Sequence, residues 1–147
     1  TVKQDDLYFR ATGGGVTFGG GEPLLSCKEI LHFHKICIDN GKRWKINIET
    51  SLNVPDTFVR VLENIVDYWI VDIKDMNPTI YKTYTGKDNE QVIKNLQHLI
   101  DRKAIIKVRV PLIPMFNTES DVQKSITILH KMGIIDIDRF TYIIKNR

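Results

Sequence analysis

The sequence predicts an α/β fold built from parallel βα repeats. Three observations carry that expectation: short stretches dense in β-branched and aromatic residues recur along the chain, stretches with helical apolar spacing separate them, and the loops between are short. With 147 residues, 42% of them hydrophobic, the chain is read as a single domain, 1–147, able to bury a core without disulfides or structural metals.

A helical turn is expected to end near Arg10. The first strand is then 15–18, and the others are 45–49, 68–72, 105–111 and 140–144. Ser26-Cys27-Lys28-Glu29 has the form of a capping box, which opens a helix running to about Asn40, where Gly41 stops it. Shorter helical turns are expected at 57–64 and 79–84. Val92, Ile93, Leu96, Leu99 and Ile100 fall on one helical face, as do Val122, Ile126 and Leu129. Right-handed crossovers turn such an alternation into a parallel sheet, as an open doubly wound sheet or as part of a barrel. In both, ligands sit at the carboxyl ends of the strands. That rule marks residues 17–22, 49–53, 72–76, 109–114 and whatever follows Ile144.

Composition removes several function classes. Lys and Arg number 21 and Asp and Glu 18, a net charge of +3 without a polybasic run, which does not describe a nucleic-acid groove. Two cysteines, Cys27 and Cys37, make neither a disulfide framework nor a four-cysteine zinc site, and the cytoplasm is the default compartment. Nothing approaches the roughly 18 apolar residues of a membrane span, and Thr1-Val2-Lys3-Gln4-Asp5-Asp6 is no signal peptide. A chain opening on Thr1 and ending on Lys145-Asn146-Arg147 reads as a portion of a longer one.

The densest motif is Gly13-Gly14-Gly15-Val16-Thr17-Phe18-Gly19-Gly20-Gly21-Glu22-Pro23, a strand flanked by glycines. It is neither GxxxxGK[ST] nor GxGxxG, and a loop ending in Glu22 repels phosphate. Such a loop suits an ammonium group, its protons accepted by backbone carbonyls and Glu22; a tight βα turn with Glu22 in solvent is the plain alternative. Asp72 and Lys74 end an apolar strand and share one face, as a neutralising pair in a dry site or as a solvated strand end. Arg109 points to the same mouth, to meet a carboxylate or ribose, or outward against a loop. Glu49-Thr50-Ser51 adds oxygen ligands, or is a polar turn. His32, His34, His98 and His130 read as surface or half-buried side chains, and Cys37 as a packing residue beside Ile30 and Phe33. No hydrolytic triad stands out.

Taken in order, Thr12 to Leu25, Glu49-Thr50-Ser51, Val71-Asp72-Ile73-Lys74-Asp75-Met76, Tyr84-Thr85-Gly86 and Val108-Arg109-Val110-Pro111-Leu112-Ile113-Pro114 resemble the radical S-adenosylmethionine enzymes that activate glycyl radical enzymes, the pyruvate formate-lyase activating enzyme type. The resemblance implies a partial, TIM-like (β/α)6 barrel holding a [4Fe-4S] cluster and S-adenosylmethionine. The reduced cluster cleaves the cofactor to a 5′-deoxyadenosyl radical, which takes hydrogen from a backbone glycine of the partner, pyruvate formate-lyase or a relative. Gly20, Gly21 and Glu22 match the motif for the methionyl ammonium. Asp72, Ile73 and Lys74 match the cofactor-contacting strand end, Glu49 and Thr50 with Asp72 match positions near the methionyl carboxylate, and Arg109 matches a cofactor-side arginine.

Three departures qualify the match. The family's CxxxCxxC cluster motif is missing, Gly19 stands where the family usually has serine, and the chain ends where a histidine loop follows the sixth strand. The five strands therefore read as strands two to six of the barrel, without the first strand and its cluster loop, and no catalytic or metal-ligating residue is assigned. The expected function is an oxidoreductase in full-length form and an inactive portion alone; the alternative is a non-catalytic binding module on the same fold. Without the first strand, 15–18 is expected to be an open edge, covered by a second copy or by the segment around Leu7, Tyr8 and Phe9, with self-association preferred.

Overall fold

The computed structural model describes residues 7–143, and strand and helix alternate along them as the apolar pattern predicts. Six strands form one sheet in chain order: β1 (Leu7–Thr12), β2 (Gly15–Gly20), β3 (Lys45–Thr50), β4 (Tyr68–Asp72), β5 (Ile106–Leu112) and β6 (Asp136–Thr141). β2 to β6 pair in parallel. The helices are α1 (Cys27–Asp39), α2 (Asp56–Leu62), α3 (Pro78–Thr85), α4 (Glu90–Asp101) and α5 (Glu119–Met132). A doubly wound sheet reverses its strand order partway; this one never does, so right-handed crossovers put the helices on one side, as in a barrel wall.

Strand period 2 then gives the sheet two unlike faces. Towards the helices it presents Val16, Ile46, Ile48, Trp69, Val71, Val108 and Val110, which bury against Leu24, Ile30, Leu62, Leu96, Leu99 and Leu129. Ile48 lies beside Trp69 and Val71 beside Val108 in the register. The opposite face carries Asn47, Glu49, Ile70, Asp72, Lys107, Arg109 and Asp138. Among the described residues no helix is long and apolar enough to cross a membrane.

Several expectations need correction. The segment read as a helical turn ending near Arg10 is β1, antiparallel to β2. Gly13 and Gly14, at φ 50° and 90°, make the two-residue turn that only left-handed residues close, and this turns the chain into a hairpin. Phe9 packs on Phe18 and Phe33 at ring separations of 6.1 and 6.0 Å. The β2 edge is thereby paired by the Leu7–Thr12 strand, and the open edge expected to drive self-association is covered. Ser26 makes no capping hydrogen bond: a 3-10 turn, Pro23–Ser26, precedes α1, and its cap is Glu22, which accepts from the Leu24 amide at 3.1 Å. The last strand is Asp136–Thr141 rather than 140–144, because Asp136 to Thr141 pair residue for residue with Lys107 to Leu112. Ile144 and residues 145–147 lie outside the described residues, as do Thr1 to Asp6.

Candidate functional site

The carboxyl ends of β2, β3, β4 and β5 surround a cleft of about 290 Å³ on the polar face. The end of β2 and the loop after it contribute Gly20, Gly21 and Glu22, the end of β3 and the residue after it contribute Glu49, Thr50 and Ser51, β4 contributes Ile70 and Asp72, the loop after it Lys74, and β5 contributes Arg109. Tyr8 reaches in from β1. Of the nine expected site residues, Gly20, Gly21, Glu22, Glu49, Thr50, Asp72, Lys74 and Arg109 meet on this cleft. Ile73 does not: strand alternation turns its side chain into the core, 1% exposed, and its amide donates to the Arg109 carbonyl at 3.0 Å.

Glu22 is neither in solvent nor free for a ligand. Its carboxylate accepts from the Thr50 hydroxyl at 2.7 and 2.8 Å, from the Ser51 amide at 3.0 Å, from the Ser51 hydroxyl at 2.9 Å and from the Leu24 amide. One carboxylate thus ties the β2 loop to the end of β3 through charge-assisted hydrogen bonds, and Thr50 is nearly inaccessible beneath it. An ammonium ligand here would meet the Gly20 and Gly21 backbone rather than Glu22.

Lys74 donates to Asp72 Oδ2 at 2.9 Å and to the Tyr142 hydroxyl, and lies 5.0 Å above the Tyr142 ring. Burial pulls the Lys74 pKa down, but its hydrogen bonds to Tyr142 and Asp72 and the Asp72 charge outweigh that, and the net shift is upward. Burial raises Tyr142 in turn. Lys74 is a held cation rather than a base. The other Asp72 oxygen, Oδ1, is buried and has no partner among the described residues. Arg109 lines the cleft, 3.6 Å from Asp138 and 4.5 Å over the Phe140 ring, so it faces the mouth and its neighbours come from strand β6 rather than from a loop.

Buried polar groups brace this mouth from behind. Leu52 takes φ 59° directly after β3, and Asn95 of α4 holds that turn by donating to the Leu52 and Val54 carbonyls, both at 2.8 Å. Asp75, 1% exposed, accepts from the Asn77 amide, the Asn117 side chain and the Ser125 hydroxyl, which locks the loop after Lys74 to the loop after β5 and to α5. The expectations missed Tyr8, Ile70 and Tyr142. Alternation from Asp72 would have placed Ile70; Tyr8 was hidden by the helical reading, and nothing local marks Tyr142.

Cys27 and Cys37 are buried free thiols of α1, and burial raises the Cys27 pKa. Among the described residues no group of three or more His, Cys, Asp and Glu side chains could hold a metal ion. The described residues therefore do not fit an iron–sulfur cluster. They do fit a polar cofactor that brings a hydrogen-bond donor, because Asp72 Oδ1 lacks one and Gly20 and Gly21 line the cleft without side chains.

The Radical SAM superfamily profile matches residues 4–141. The chain belongs to the radical SAM superfamily. It is 37% identical over 118 residues to a (2S)-3-sulfopropanediol dehydratase activating enzyme of Klebsiella oxytoca, a match covering 80% of this chain and 37% of that one. Curated relatives are matched over 37% to 46% of their length, so this radical SAM chain spans less than half of them. Two solved structures share the fold. A domain of a pyruvate-formate lyase-activating enzyme from Bacteroides vulgatus superposes with a TM-score of 0.62 at 22% identity, over 86% of this chain and 99% of that one. Streptococcus suis SuiB bound to S-adenosylmethionine gives a TM-score of 0.66 at 14% identity, over 86% and 29%. The six-stranded sheet is thus a radical SAM partial barrel.

Proposed function

We propose that this chain is the S-adenosylmethionine-binding portion of a glycyl-radical-enzyme activating enzyme. The observation that carries the reading is the convergence of Gly20, Gly21, Glu49, Thr50, Asp72, Lys74 and Arg109 on one cleft, in a superfamily whose matched relatives include activating enzymes. β2 to β6 would stand as strands two to six of a (β/α)6 barrel. S-adenosylmethionine, cleaved reductively at an iron–sulfur cluster, supplies the radical chemistry in such enzymes. The part of this chain is to bind and orient. The Gly20-Gly21 backbone would receive the ammonium, Asp72 Oδ1 a cofactor donor, and Arg109 a carboxylate or ribose oxygen. Lys74, locked to Asp72 and Tyr142, would hold the Asp72 carboxylate in place.

Cluster ligands have to come from sequence outside this chain, so the chain alone binds S-adenosylmethionine in about the millimolar range and does no chemistry. The partner is a glycyl radical enzyme, pyruvate formate-lyase or a relative, in the cytoplasm. The deciding experiment reconstitutes the full-length protein with iron and sulfide and reduces it anaerobically with S-adenosylmethionine and a panel of glycyl radical enzymes, pyruvate formate-lyase among them. Formation of 5′-deoxyadenosine with a glycyl radical signal is expected. A loaded protein that cleaves no cofactor would overturn the reading.

A further inference from the structure

Among the described strands only β1 runs against its neighbour. It pairs antiparallel with β2, from Leu7 opposite Gly20 to Thr12 opposite Gly15, while β2 to β6 are parallel throughout. A two-residue turn leaves β1 nowhere to pair but on the free edge of β2, and that edge is where a parallel barrel wall takes its first strand. β1 and a first strand therefore compete for the same backbone groups.

The hold of β1 is light. None of Leu7 to Ala11 is buried, whereas Val16, Thr17 and Phe18 on the strand opposite are at most 8% exposed. Besides the backbone ladder, β1 is fixed on the helix side by Phe9, itself 61% exposed, against Phe18 and Phe33. On the polar face the Tyr8 hydroxyl donates to Glu49 Oε2 at 3.1 Å, and Arg10 stands 3.8 Å from Glu49 Oε1. The phenol lies so close over Gly19 that a Cβ there would come within 2.5 Å of its hydroxyl, and it lines the cleft beside Gly20 and Gly21. One lightly held strand thus covers the sheet edge and fills part of the cleft.

We propose that Leu7–Thr12 is a displaceable strap: it guards the β2 edge and narrows the cofactor cleft with Tyr8 until the barrel's first strand takes that edge, which frees Glu49 and opens the cleft. The inference rests on the reading of β2 to β6 as strands two to six. An unpaired sheet edge is a template for aggregation, and a strand held mainly by its backbone protects it while remaining exchangeable for another strand. The exchange also couples two events. In that reading the cluster loop follows the first strand, so the cleft opens to the cofactor when the cluster ligands arrive.

Two variants release the strap without touching the cleft. Gly13 and Gly14 close its turn at φ 50° and 90°, and a Cβ on either meets nothing within 4 Å, so Gly13→Val with Gly14→Val strains the turn alone. Phe9→Ser keeps the turn and removes the packing on Phe18 and Phe33. The test follows hydrogen exchange over residues 7–12 and S-adenosylmethionine titration, in the 147-residue chain and in the full-length protein. In the chain, the valine pair should speed exchange of that segment about tenfold and tighten cofactor binding about fivefold, because more of the population is open; Phe9→Ser should tighten it about threefold. In the full-length protein the wild-type segment should exchange about tenfold faster than in the chain, and Phe9→Ser should change cofactor affinity by less than about twofold. Equal protection of residues 7–12 in the chain and the full-length protein would overturn the strand exchange. Binding that is no tighter in chain variants whose strap has lost its protection would overturn the closing of the cleft. Cofactor binding by neither the chain nor the full-length protein would count against the proposed function, while the exchange rates would still decide whether the strap gives way.

Discussion

On the helix side of the sheet, Val16, Ile46, Ile48, Trp69, Val71, Val108 and Val110 are at most 1% exposed; on the other side the same strands carry Asn47, Glu49, Asp72, Lys107, Arg109 and Asp138. The first face is uniform, and any of its members acts by excluding water. The second is individual, and several of its charges are answered from another strand or loop: Glu49 by Tyr8 and Arg10, Asp72 by Lys74, Arg109 by Asp138. In a closed barrel packed with aliphatic layers the inner face would add to stability. Here it is left polar and open, and stability has to come from the helix side alone. Binding and folding are thereby assigned to alternate residues of the same strands.

The largest expected effect lies on the buried face. Ile48→Ala should cost about 2–5 kcal/mol in urea unfolding while leaving the cofactor affinity of the folded fraction unchanged. A loss below about 1 kcal/mol would erase the distinction between the faces. Glu22 is the exception that sharpens it, a mouth residue with a structural task. Glu22→Ala strands the Thr50 hydroxyl and the Ser51 amide and should cost about 1–3 kcal/mol, whereas a site-only residue would cost almost nothing.

How much of this was legible beforehand follows the same division. β4 shows itself in the apolar Trp69-Ile70-Val71, and the motif residues of the mouth sit at strand ends where the βα pattern puts them. β6 was displaced by four residues because Asp136, Asp138 and Arg139 give this edge strand no apolar alternation to read. β1 was missed because its partner is recognised only once Gly13 and Gly14 are seen as a turn. The Glu22 network was out of reach for another reason: apart from the Leu24 amide its donors lie 28 and 29 residues away, and the sequence pattern shows a carboxylate without showing what satisfies it. Ile73 was carried into the site with its motif although period 2 turns it to the core.

A smaller effect belongs to the polar face. Asp72→Asn should weaken S-adenosylmethionine binding about tenfold yet move the midpoint by no more than about 2 °C, since its ion pair with Lys74 is part-exposed and adds little stability. Smallest is the alkaline limb. The Lys74 pKa and those of Tyr8, Tyr68, Tyr81 and Tyr142 are raised in the folded chain. The folded state therefore binds these protons more tightly than the unfolded one, and their stabilisation is complete below the ordinary values and drains as pH rises through the folded ones. Stability should fall above about pH 10, and Tyr142→Phe should make the fall shallower in a pH series of unfolding midpoints.

The central claim, that the open polar face is the cofactor face, is tested most directly by titrating the isotope-labelled chain with S-adenosylmethionine and following backbone amide resonances. The shifts should concentrate at Gly20, Gly21, Ser51, Asp72, Lys74 and Arg109, leaving Ile46, Val71 and Val108 at the noise level. Shifts gathered instead on the exposed faces of α1 or α5, or none at millimolar cofactor, would contradict it.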